Sequence, residues 1–344
     1  MARPHALLRA GFPFVKTLGM RRCTNFPVDV AFGAEGRVYV LLRNEPEREV
    51  LIRVWRFEDH ETLPDLEAIG GYGQGDGQFH WPVALITDRD ENLFVSDEWL
   101  HRVSSFSKDG EFLGHWGEHG DGDGQLNRPS GIAFDADENM YVVDTMNHRI
   151  QKFTKDGKFL TKWGQFGGGE GEFNTPWGIA VDELGDVYVG DWRNDRIQRF
   201  TGDGEFVFAI GRSGSRDGEF SRPTGIAVDS DGDIYVADCG NNRVQLFDQT
   251  GRYVQMFLGD ATLSRVARSY MYGNAYPNRL REMANLDREK RFRDPRSVRV
   301  DNEGHMYVTD FQAYRVQVYQ KEAIHLDEAH ITPEMRSATL QTVA

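Results

Sequence analysis

Pro129-Ser-Gly-Ile-Ala-Phe-Asp135, Met140-Tyr-Val-Val-Asp144, Arg149-Ile-Gln-Lys-Phe153 and Lys158-Phe-Leu-Thr-Lys-Trp-Gly164 follow one another in the middle of the chain. The same order returns as Gly178-Ile-Ala-Val-Asp182, Val187-Tyr-Val-Gly-Asp191 and Arg196-Ile-Gln-Arg-Phe200. Pro82, Pro129, Pro176 and Pro223 open successive copies 47 residues apart. Within a copy, Val, Ile, Tyr and Phe fill four short runs separated by Asp-Gly, Glu-Asn and Gly-rich stretches of hairpin length, the pattern of half-buried antiparallel strands. A period of this length carrying four strands predicts the blades of a propeller.

Two further copies emerge once insertions are allowed: Pro27-Val-Asp-Val-Ala-Phe32 with Val38-Tyr-Val40, and Pro295-Arg-Ser-Val-Arg-Val-Asp301 with Met306-Tyr-Val-Thr-Asp310. That makes six. The recurring Gly-Ile-Ala-Val-Asp, Tyr-Val-x-Asp and Asn-x-Arg-Ile-Gln elements resemble the NHL repeat family from about Phe14 to Tyr319. The resemblance implies an all-β fold, a six-bladed β-propeller of four-stranded antiparallel blades.

A fourth strand for the last copy is due near residue 330, where His330-Ile-Thr-Pro-Glu-Met335 lacks the pattern and Phe14-Val-Lys-Thr-Leu-Gly19 has it. The N-terminal strand is therefore expected to complete the last blade, which removes an open sheet edge. Residues 1–320 then form one propeller, with an insertion at about 260–294 and a tail at 321–344. Cys23 and Cys239 fall in different copies, which argues against a disulfide framework. No apolar run has the length of a signal peptide or membrane span, and a cytoplasmic location is expected. The formal net charge of −14 disfavours nucleic acid, whose affinity comes largely from phosphate neutralisation by Lys and Arg.

Function in such a ring is expected on the loops joining second to third strands and on those crossing between blades, which share one end. The former read Asp97-Glu-Trp-Leu-His-Arg102, Asp144-Thr-Met-Asn-His-Arg149, Asp191-Trp-Arg-Asn-Asp-Arg196, Asp238-Cys-Gly-Asn-Asn-Arg243 and Asp310-Phe-Gln-Ala-Tyr-Arg315. Their flanking Asp and Arg repeat, as a carboxylate that accepts turn N–H groups and an Arg within pairing reach would. Asp229-Ser-Asp-Gly-Asp233 has the start of a calcium loop, but Ile234 and Gly240 stand where an EF-hand needs Gly and Glu, so a hairpin turn is expected.

The varying positions are the candidates for function. Trp99, Trp177, Trp192 and Tyr314, with Phe311 and Trp81, place large rings at the mouth, where they stack a planar ligand or pack blade against blade. Arg193 and Arg296 are candidate anion holders. His80, His101, His119 and His148 fall in loops at the same end, and His101 and His148 occupy equivalent positions. They are candidates for a general base or for ligands of a divalent metal, with simple solvation the alternative. The cofactor is otherwise undefined.

The chain is also similar to peptidyl-hydroxyglycine amidating lyase in its Asp-x-x-Asn-x-Arg-Ile-Gln stretches. The zinc histidines that this resemblance implies would fall at Val28, Val83, Ser130, Trp177, Thr224 and Arg296, none of them histidine. Gluconolactonase-like propellers are a further similar class, whose carboxylate and Asn ligands no motif places here. The excess residues in Leu42-Arg-Asn-Glu-Pro-Glu-Arg-Glu-Val50 read as a charged surface excursion. Between residues 260 and 294, eight Arg or Lys outnumber five Asp or Glu. Leu280, Met283, Ala284 and Leu286 there have near-helical spacing, and Arg265 and Arg268 are candidate anion contacts of a lid. Two functions follow: a small-molecule pocket for an anionic or aromatic ligand, with lyase or hydrolase chemistry, or a non-catalytic platform for a protein or peptide.

Overall fold

The computed structural model describes residues 8–20, 23–44, 50–57, 68–272, 279 and 284–325. Six four-stranded antiparallel sheets follow one another around a ring. Their innermost strands are Pro27–Phe32, Pro82–Thr87, Pro129–Phe134, Pro176–Val181, Pro223–Val228 and Pro295–Val300, here blades 1 to 6. In blade 6 the order is Phe14–Leu18, Arg315–Gln320, His305–Asp310, Pro295–Val300. The N-terminal strand thus supplies the outer edge, as the sequence predicts. Beside it, Leu8–Gly11 pairs antiparallel with Glu322–His325, a small sheet that no repeat announces and that uses the first residues of the tail.

Tyr and Phe at fixed repeat positions fill the space between blades. Tyr39, Tyr141, Tyr188, Tyr235 and Tyr307 are at most 1% exposed, and burial without a hydroxyl partner would be costly. Each finds one: Tyr188, Tyr235 and Tyr307 donate to Asp182, Asp229 and Asp301, Tyr39 to Glu91 and Tyr141 to the Gly202 carbonyl.

The repeating Asp is the hub of blades 3 to 6. Asp144, fully buried, accepts from the Asn127 N–H, Arg149 Nε, Asn147 Nδ2 and Gln151 Nε2. Arg149 then donates to the carbonyls of Asp121, Gly122 and Gln125 and pins the crossing loop that enters the blade. Asp191–Arg196, Asp238–Arg243 and Asp310–Arg315 repeat this pairing. The Asp229 turn is a hairpin, its Oδ1 accepting the N–H groups of Asp231 and Asp233. Lys321 Nζ lies 2.6–3.0 Å from the carboxylates of Asp229, Asp231 and Asp233, so the charge of this acidic turn is answered from blade 6.

Glycine in the Pro-x-Gly-Ile-Ala motif has a packing reason. A Cβ on Gly178 would stand 1.8 Å from the Thr224 carbonyl oxygen of the next blade. The innermost strands converge too closely there for any side chain.

Candidate functional site

Convergence of the six strand starts creates a pocket at the mouth of the central channel. It is lined by Val28, Asp29, Val83, Gly131, Trp177, Thr224, Arg296 and Arg299, among others, with Arg43 reaching in from the second strand of blade 1. Its floor is an ion pair. Asp29 Oδ2 accepts from Arg299 Nη2 at 2.6 Å and from the Leu85 N–H, while Oδ1 accepts from Arg299 Nε, Ser297 Oγ and the Val30 N–H. Desolvation works against the Arg299 charge, but the Asp29 carboxylate outweighs it and holds the guanidinium above its ordinary pKa. Asp29 and Arg299 occupy repeat positions that hold Gly131, Gly178, Gly225 and Ala133, Ala180, Ala227 in other blades. Where those residues leave the channel open, the pair closes it. Above the pair there is room for only about 40 Å³; below it lies a more open space of about 250 Å³, lined by aliphatic side chains, Phe32, Phe134 and Arg299. The space above the pair admits no more than a few waters.

Around that rim, Trp177 stands 6.4 Å from Trp192, centroid to centroid. Arg193 and Arg222 lie 5.7 and 5.3 Å from the Trp192 ring. Arg296 bonds Asp294 at 2.8 Å and lies over Phe311 at 4.6 Å, while its buried Nε has no partner. Asp294 also accepts the Cys239 thiol at 2.7 Å; burial, reinforced by that carboxylate, pushes the thiol up to about 12. Arg43 stacks over Trp81 at 4.6 Å and pairs with Glu98, which Arg128 approaches from the other side at 3.4 Å.

Trp177 and Arg296 thus line the mouth as the sequence suggested, and Trp192 and Arg193 adjoin it. Trp99 is 46% exposed and lies outward, packed on Trp81 and His80. Tyr314 packs against Phe26, and its carbonyl accepts the Thr24 hydroxyl, a blade 6 to blade 1 contact away from the mouth lining. Among its described residues, the insertion does not form the expected lid. Arg268 donates to the Leu263 carbonyl within its own helix region, Arg265–Tyr272. No described residue of the insertion lines the mouth. The side chain of Arg265 and most of the expected helix at 280–286 lie outside the described residues; a short helix runs over Leu286–Lys290 instead. Its base is tied down by Phe292, which is buried in the core of blades 5 and 6.

His101 and His148 have a different role from the expected one. The Nδ1 atoms of the two rings accept the Arg128 and Thr175 N–H groups at 3.0 Å, each tying its loop to the next blade. Asp195 and Asn242 do the same for Arg222 and Asp294. That tautomer leaves the proton on Nε2, so neither ring offers a lone pair to a metal or a substrate proton. Ring contacts join His101 to His119, at 4.4 Å. Among the described residues no three His, Cys, Asp or Glu side chains are arranged for a metal ion.

Desolvation lowers both histidine pKa values, helped at His101 by His119 and Arg128. A depressed folded-state pKa favours the neutral ring, so this stabilisation is complete above about pH 6.5 and is lost as pH falls below it. His101→Asn/His148→Asn keeps an acceptor suited to the left-handed backbone there (φ 55 and 56). Thermal melts between pH 7 and 5 should show a smaller decline in Tm for this variant than for the parent; equal declines would refute the assignment.

The match to known families follows these features. An NHL repeat profile matches residues 220–247, which cover blade 5 from its entry loop to its third strand. The chain is a six-bladed β-propeller that carries an NHL repeat. A profile for the SMP-30/gluconolactonase/LRE-like region matches residues 119–213. No curated protein matches by sequence. Among solved structures, a structural-genomics protein of unknown function from Bacteroides thetaiotaomicron superposes with a TM-score of 0.63 at 16% identity, over 92% of this chain and 76% of that one. A streptogramin B lyase gives 0.54 at 11%, over 92% and 98%. A catalytically inactive virginiamycin B lyase from Staphylococcus aureus with quinupristin gives 0.55 at 12%, over 94% and 90%. At these identities the likeness is one of fold. No helix among the described residues is long and apolar enough to cross a membrane.

Proposed function

We propose that the channel mouth of this NHL-type propeller binds a small planar anion, and that its chemistry is of the hydrolase or lyase class. The observation that carries the binding is the meeting in one pocket of Trp177, Arg43 and Arg296, the last paired with Asp294 through Nη2 but with a buried Nε that has no hydrogen-bond partner. Trp177 stacks the ring, and Arg296 and Arg43 take the carboxylate, which a guanidinium fork matches in shape and charge. Trp192 supports Trp177, and Arg193 and Arg222 draw anions to the rim of an otherwise acidic protein. The gluconolactonase-like match and the lyase-like fold support the reaction class. His101 and His148, given their tautomer, act at most as donors through Nε2.

Titration of aromatic carboxylates, followed by tryptophan fluorescence, tests the pocket. Trp177→Ala and Arg296→Gln should each weaken binding about tenfold or more at unchanged Tm, the worth of one stacked ring or one charged hydrogen bond. Lactone and ester analogues of the best ligand then test turnover. Wild-type protein that binds none of these compounds, or variants that bind as tightly as it does, would overturn the reading.

A further inference from the structure

A second feature of the loop face lies outside the mouth. On blade 2, Tyr72 packs on His80 at 5.1 Å, His80 on Trp99 at 5.0 Å, and Trp99 on Trp81 at 5.6 Å. Tyr72 is 39% and Trp99 46% exposed. His80 carries a buried Nδ1 with no partner. The next two crossing loops carry a ring at the position of Tyr72, each on a different kind of partner: His119 packs on His101, and Phe166, 66% exposed, packs on His148 at 5.0 Å. The series stops at blade 5, where Ser213 takes the ring position. Rings therefore run along three consecutive blades and end beside the mouth, where Arg43 stacks over Trp81.

The charge around these rings selects among ligands. The crossing loops 71–78, 118–125 and 165–172 contain Asp76, Glu118, Asp121, Asp123, Glu170 and Glu172 and no Lys or Arg. Lys162, from an outer strand, pairs with Asp123, and His115 lies 3.7 Å from Asp76. Carboxylates of this density repel a phosphate chain. A simple cation cage is disfavoured too, because Arg43 already stands over Trp81 and Arg128 beside Glu98. What remains is a neutral ligand with flat apolar faces and hydroxylated edges: rings stack the faces, and carboxylate and amide groups such as Gln74 and Glu118 accept from or donate to the edges. We infer that the loop face of blades 2–4 is a binding platform for a neutral oligosaccharide, with Trp99 and Tyr72 as its stacking residues.

The platform stands independently of the mouth. The test is saturation-transfer NMR and calorimetric titration of the full chain with cellotetraose, chitotetraose and maltotetraose, alongside a single-stranded oligonucleotide and an oligolysine peptide. At least one tetrasaccharide should bind, Trp99→Ala and Tyr72→Ala should each weaken it about tenfold, and Trp177→Ala should leave it unchanged. Phe166→Ala should weaken tetrasaccharide binding while sparing the disaccharide of the same series. Absence of saccharide binding at millimolar concentration, binding of only the oligonucleotide or the peptide, or loss in Trp177→Ala but not in Trp99→Ala would each overturn the assignment.

Discussion

Deleting residues 1–19 is expected to leave a chain without a cooperative melt, recovered mainly as aggregate. Phe14–Leu18 is the outer strand of blade 6, and its loss bares the Arg315–Gln320 edge, whose N–H and C=O groups then seek another chain. The deletion also removes three apolar contacts: Leu18 is 2% exposed, the Phe14 ring meets Tyr319 at 5.6 Å, and Phe12 meets Phe257 at 5.0 Å. A fully buried side chain of this kind contributes about 1.5–3 kcal/mol and a partly buried one less, so the group reaches several kcal/mol against a total stability of about 5–15 kcal/mol. The pairing of Leu8–Gly11 with Glu322–His325 is lost as well. Circular dichroism melts and size-exclusion profiles report the outcome, and a peptide of residues 8–20 added in trans should restore part of the signal. A truncated chain that melts within a few degrees of the intact one would show that the ring is not held closed there.

Asp29→Ala is expected to be the most damaging single substitution tested in the channel, at roughly 3–5 kcal/mol, the range for removing one partner of a buried ion pair. Asp29 belongs to blade 1, Leu85 to blade 2 and Ser297 and Arg299 to blade 6, so one carboxylate joins three blades across the closing seam. Without it, Arg299 is left charged in the channel and the Leu85 N–H loses its acceptor. Asp29→Leu/Arg299→Met removes the charge together with its partner, and part of the loss should return, because apolar replacements spare the desolvation of both ions. Guanidinium unfolding of the two variants and the parent checks this. A loss below about 1 kcal/mol in Asp29→Ala would mean that packing alone closes the seam.

Much of the architecture could be read from the residues. The 47-residue spacing of the prolines, the alternation of Val, Ile and Tyr, and the match of Phe14-Val-Lys-Thr-Leu to a missing strand are local patterns, and local patterns survive without coordinates. The hub role of Asp144, Asp191, Asp238 and Asp310 was legible for the same reason, since their Arg partners stand five residues on. Arg43 was not: it sits in a charged stretch that reads as surface, and only the curvature of blade 1 brings it to Trp81. His101 and His148 look like a reactive pair, yet their acceptors' partners, Arg128 and Thr175, lie 27 residues away in the next blade. A signal for the channel pair was present in the departure of Asp29 and Arg299 from positions that are uncharged in every other blade and mostly Gly or Ala, but its meaning needs two ends of the chain to meet.

The sequence by itself therefore determined the number of blades, their strand order, the closing strand and the end of the ring that carries variable loops, because each follows from periodicity and short-range pairing. The tertiary structure alone decided which of those variable residues meet at one mouth, that an ion pair bridging residues 29 and 299 floors it, and that exposed rings line three neighbouring blades. Closing the ring sets side chains from distant repeats a few ångströms apart, and no repeat read singly carries that distance.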